Sequence, residues 1–154
     1  MRTQNRPTMF WLIMAYLVFD MAFFLVGQTA SLFAYDFTVR MGLQESVQAV
    51  GEYGVQVNRS FGLADTIVGI PLMLLSLAGL AKRKRWALAT LAAFMGISIY
   101  WPVFCTGLLW FLNGVQSYNL EPGIVYGIIL GLHAALGIWI LGYLMFRGER
   151  LVRE

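Results

Sequence analysis

Residues 61–81, FGLADTIVGIPLMLLSLAGLA, form an apolar run that ends in four consecutive cations, Lys82, Arg83, Lys84 and Arg85. About twenty apolar residues, each rising ~1.5 Å in a helix, cover a hydrocarbon core of ~30 Å. The four cations cannot follow them into lipid and favour its cytoplasmic side. Ser60 is the expected N-cap of this helix. Two residues in the run exceed what an inert anchor needs. Asp65 is a carboxylate within the span, costly enough in lipid to be read as functional, and Pro71 removes a backbone donor.

Three more runs have the same character. Span one is expected at 9–27, with Thr8 as its cap, and span three at 86–109, where Pro102 should kink or end the helix. Span four is expected at 123–146. Of 154 residues, 59% are hydrophobic and only 12% charged, against about 25% charged in a soluble domain. The segment 28–60 is too polar to span. Leu43, Val47 and Val50 in it recur at helical spacing, so it should hold an amphipathic helix over the mouth of the bundle, ended by Gly51 and Gly54. The expected fold is therefore an all-α integral membrane protein: one domain over 1–154, a four-transmembrane-helix bundle with a polar helical loop between spans one and two.

Charge sets the orientation. Arg2, Arg6, the 82–85 turn and Arg147, Arg150 and Arg153 flank spans on one side, so both termini should be cytoplasmic and the two longer loops external. These cations serve topology, and the net charge of +3 implies no nucleic-acid partner. The start of the chain lacks a small-residue cleavage site and Asp20 interrupts its apolar core, so it does not read as a signal peptide. The expected home is the cytoplasmic membrane of a prokaryote or the endoplasmic reticulum of a eukaryote. Cys105 is the only cysteine, which excludes an intrachain disulfide and paired-cysteine redox chemistry.

The polar groups of the spans are expected at mid-membrane or in the outer half. In the expected topology Asp20 lies about 18 Å from the cytoplasmic face and Tyr100 about 21 Å, while Asp65 is ~6 Å and His133 ~15 Å from the outer face. A ligand cavity toward the outer side follows, with Asp20, Asp65, Tyr100, Trp101 and His133 as candidate contacts. Each has a structural alternative: Asp65 capping backbone donors or pairing with Arg59, His133 bonding between helices, and Tyr100 and Trp101 standing in an interfacial aromatic belt. A metal would need Asp20 or Asp65 beside His133, a thin ligand set, and neither a metal nor a cofactor is expected. Gly123, Gly127 and Gly131, continued by Ala135, form a small-residue stripe on span four. It is expected to pack inside the bundle or to form a homodimer seam. His133 is roughly 200° around the helix from Gly131, so the first placement turns it toward lipid or another helix and the second turns it into its own bundle.

Span two, with Phe61 after Ser60, Asp65 four residues on, Pro71 six after the acid, and then a basic turn, resembles the corresponding span of the EXPERA-domain family. The resemblance extends in outline to four spans with cytoplasmic ends and a polar helical loop after the first. It implies that Asp65 stands in the place of an acidic ligand-anchoring residue and that Asp20 answers to an acid near the end of span one. The sterol-isomerase branch pairs its acid with a histidine one turn earlier, where this chain has Phe61. The implied role is therefore binding of a sterol- or lipid-like molecule rather than isomerisation. Its rivals are a small proton- or cation-coupled transporter, with Asp20 as the carrier, and a non-catalytic accessory subunit whose polar residues join helices.

Overall fold

The computed structural model describes residues 6–115, 118–120 and 123–152. Among these residues the chain is helical throughout, with four helices long and apolar enough to cross a membrane, the build of an integral membrane protein. They are α1 (Thr8–Phe33), α3 (Val47–Ala81), α4 (Trp86–Leu112) and α5 (Ile124–Arg147), with a short α2 (Tyr35–Arg40) after the first.

Helix α1 starts at Thr8, with Pro7 rather than Thr8 in the cap position, and its buried stripe is Phe10, Ile13, Leu17, Asp20 and Phe24, alternating three and four residues apart. It runs past residue 27 because residues Phe24–Thr29 form a π-turn, in which the Ala30 N–H reaches back five residues to the Leu25 carbonyl. The inserted residue rotates the stripe so that Gly27, Gln28 and Ser31 are also buried.

Helix α3 is longer than the expected span two. Ser46 caps it, accepting from the Ala49 N–H at 3.3 Å, and Gly51 breaks it at φ 67, a value that favours glycine. The helix then continues through Gly54 and Ser60 to Ala81, so neither residue bounds it, and the Ser60 hydroxyl donates to the Gln56 carbonyl within the helix. A second π-turn, Asp65–Gly69, directly precedes Pro71. The ring of Pro71 has no N–H to offer the preceding turn, and the wider π-turn absorbs that loss.

The two π-turns meet. A side-chain carbon at Gly62 would lie 2.6 Å from the Gln28 carbonyl, so α1 and α3 cross here with backbone nearly touching. The Thr29 and Thr66 hydroxyls bond across the crossing at 2.9 Å. Helix α4 passes through Pro102 without ending, against the expected boundary at 109, and the Thr106 hydroxyl donates to the Pro102 carbonyl at 2.8 Å. In α5, Gly137 is the close-packing glycine: a side-chain carbon there would meet Ile99 at 3.0 Å, Ser98 at 3.2 Å and the Met95 carbonyl at 3.3 Å.

Nothing among the described residues lies within 4 Å of where a side chain would grow from Gly123, Gly127 or Gly131. Gly127 and Gly131 are exposed and Gly123 borders the opening at the loop end, so of the two expected placements the stripe does not pack against another helix of the chain, and the homodimer seam stays open. Leu130, Gly137 and Ile140 are the buried face, with His133 on it.

Packing differs between the two ends. At the end with the 82–85 turn, Arg6 donates to the Leu80 and Ala81 carbonyls at 2.8 and 2.7 Å and lies 4.1 Å over the Phe10 ring. Arg85 pairs with Glu149 at 2.7 Å, an exposed contact of small energetic weight. Between them Leu80, Leu91, Ile140 and Leu151 are sealed in the core. The opposite end is looser. There the 42–46 loop, the kinked start of α3 and the segment before α5 stand around an opening, and the Asn119 N–H donates to the Ala49 carbonyl at 2.7 Å across it.

Candidate functional site: a polar cluster and an aromatic cavity

Two neighbouring arrangements carry the polar chemistry. The first is a cluster in the middle of the long helices. The Asp20 carboxyl (Oδ1) is 3.6 Å from His133 Nδ1, and the side chains are 5% and 10% exposed. Tyr16, one turn before Asp20, places its hydroxyl 3.4 Å from the same nitrogen and donates to Ser98 Oγ at 3.2 Å. Helices α1, α4 and α5 each supply part of the cluster. Asp20 Oδ2, Asp65 Oδ2 and His133 Nε2 are buried without a hydrogen-bond partner among the described residues. Buried polar groups are normally paired, and leaving one unpaired costs about 1–3 kcal/mol, so this is an unusual concentration.

Asp65 opens the second π-turn, where the Gly69 backbone comes against the Phe24 ring and the Asp65 carboxyl lies beside it. It neither caps the start of its helix nor pairs with Arg59, which donates to the Leu32 carbonyl and Gln56 instead. No three His, Cys, Asp or Glu side chains among the described residues are grouped to hold a metal.

The second arrangement is a cavity of about 630 Å³ at the loop end, between α3, α4 and α5. That volume falls in the ~300–1,000 Å³ range of small-molecule sites. Its wall carries the rings of Phe23, Tyr53, Phe61, Trp101, Tyr118 and Tyr126, with aliphatic groups from Leu108 and Leu130. Of the residues expected to touch a ligand, Trp101 lines it. Asp20, Asp65 and His133 lie outside the lining, and Trp101 is the link, its ring edge-on to His133 at 5.7 Å between centroids. Tyr100 points the other way, 62% exposed and stacked on Phe104 at 6.1 Å.

The cavity's own acids were not among the expected contacts. Glu45 and Glu52 line it. Glu45 is held in place: its backbone carbonyl accepts from the Tyr35 hydroxyl at 2.9 Å, and its Oε2 accepts from Asn58 Nδ2 at 2.6 Å. Asn58 also donates to the Tyr35 hydroxyl at 3.1 Å. Burial, and after it the Glu45 charge, pushes the Tyr118 hydroxyl above its ordinary pKa. Tyr35 is raised too, first by burial; the Asn58 bond works against this and the Glu45 charge adds to it. The only sequence signal for this group was a set of polar residues in an otherwise apolar chain. Their meeting with α4 and α5 depends on the kink at Gly51, which no local pattern specifies.

No family model, curated protein or solved structure matches the chain.

Proposed function

We propose that the chain is a four-span membrane protein that binds a hydrophobic or amphiphilic small molecule, sterol- or lipid-like, in the loop-end cavity. The observation that carries this reading is the cavity: about 630 Å³, walled by six aromatic residues, among helices otherwise suited to lipid. In this reading the 82–85 turn and both chain ends face the cytoplasm and the cavity faces the outer side. Its support is the gathering of Arg6, Arg85 and Arg147 at the end away from the cavity. The resemblance of span two to the EXPERA-domain family points to the same kind of ligand.

A second reading, a proton- or cation-coupled transporter, draws on the unpartnered atoms of Asp20 and His133. Against it, the half of the helices beyond the cluster is closed by Ile13, Leu17, Leu91 and Phe94, all fully buried. Transport needs a carboxylate reached from both faces.

Native mass spectrometry after mild extraction tests the binding reading. The protein is expected to retain a lipid-sized mass, and Ala49→Trp, which fills the cavity from its wall, to lose it while melting normally. A bare protein, or equal retention by a folded Ala49→Trp variant, contradicts the reading.

A further inference from the structure

We infer that the cavity selects ligands with a positively charged head group, and that Glu45 in the loop, rather than Asp20 or Asp65 in the spans, anchors that head. The inference rests on the cavity being a ligand site and adds the chemical class of the ligand.

The lining is one-sided in charge. Among the described residues it contains two carboxylates, Glu45 and Glu52, and no Lys, Arg or His. Glu45 Oε2 is taken by Asn58, while Oε1 has no hydrogen bond or ion pair among the described residues. Asn58 and Tyr35 fix the carboxylate at the wall before any ligand arrives, so little ordering remains to be done on binding. Tyr118, Tyr126, Trp101 and Phe61 line the same space. Aromatic faces attract cations, most strongly where water is excluded, and a carboxylate beside them adds a Coulomb attraction larger than in bulk water. An anionic head would meet two like charges and no counter-charge, a repulsion that separates ligands of equal chain length. The apolar tail would lie among Leu108, Leu130 and Ile129, where the wall is aliphatic.

The spans' acids are placed for something else. Asp20 is 3% exposed and directed at His133, and Asp65 is 6% exposed against Phe24 and Gly69, both outside the lining. A head group in the cavity meets Glu45 first.

The test is equilibrium binding to the full chain in phosphatidylcholine nanodiscs, with empty discs subtracted and probe compared at equal mole fraction in the bilayer. The probes have saturated chains of matching length within one methylene and differ in the head: radiolabelled dodecyltrimethylammonium, dodecyl glycerol and laurate. Wild type is expected to bind the cation at least about tenfold more tightly than laurate, a difference of ~1.4 kcal/mol, with the neutral probe between. Glu45→Gln keeps the Asn58 bond and should collapse the ratio toward unity while the neutral probe still binds. Glu45→Lys should reverse it, and Asp20→Asn should leave it unchanged. Equal binding of all heads by wild type overturns the inference and leaves the cavity reading standing. Loss of the ratio in Asp20→Asn but not Glu45→Gln overturns the anchor. Absence of any binding above empty discs sinks both the inference and the reading beneath it.

Discussion

At the scale of single residues, the Asp20–His133 pair brings together two of the buried side-chain atoms that lack a hydrogen-bond partner among the described residues. Asp20 was legible as unusual because a carboxylate in an apolar run stands out in any sequence. Its partner was not, since residues 20 and 133 meet only when α1 and α5 are packed on α4. At 3.6 Å the pair is too long for a hydrogen bond, so what joins the two side chains is proximity within the same buried cluster. Asp20→Asn preserves shape and hydrogen bonding and should change stability by less than about 1 kcal/mol. His133→Leu removes a polar neighbour of a buried carboxyl and should cost about 1–3 kcal/mol. Denaturation of both single variants and the double variant measures the coupling: strict additivity would show that the two side chains do not act together.

At the scale of helices, apolar length and flanking charge located all four spans, and the ends were misjudged where backbone devices intervene. Ser60 has the chemistry of a cap, yet the helix passes through it because Ser46 caps and Gly51 turns the chain fourteen and nine residues earlier. The π-turns at Phe24–Thr29 and Asp65–Gly69 leave no mark in periodicity, although Pro71 hints at the second. Spacing also marks Gly123, Gly127 and Gly131 without telling which way they face. Contact requires a neighbour, and the helix that fits against α4 does so at Gly137, outside the stripe. Gly137→Leu should therefore destabilise the solubilised protein by about 1–3 kcal/mol through overpacking against Ile99 and Ser98. Gly127→Leu and Gly131→Leu should leave its melting temperature unchanged. Size-exclusion elution decides whether the stripe is a seam: a shift toward monomer in those two variants marks a homodimer through α5, and no shift means that the stripe faces lipid.

At the scale of the molecule, the protein has a closed end rich in cations and an open end rich in aromatic rings. Composition alone made the membrane class plain, and the cation pattern made one orientation preferable. An accessible tag inserted at Gly51 on intact cells, with tags at both termini protected, is the expected result, and a protected Gly51 tag reverses the orientation. The open end was legible only as a polar loop over a bundle mouth. Its cavity is built from a loop, a kinked helix and two later spans, none of which carries the site alone. The most direct measurement of the central claim is where a bound amphiphile lies. A dodecylammonium probe carrying a diazirine in its tail, photolysed in nanodiscs and mapped by peptide mass spectrometry, should label Leu108, Ile129 or Leu130 on the cavity wall, and an excess of unlabelled cation should suppress that labelling. Labelling confined to outward-facing side chains such as Trp11, Ile67 and Ile138, and insensitive to competitor, would contradict the account.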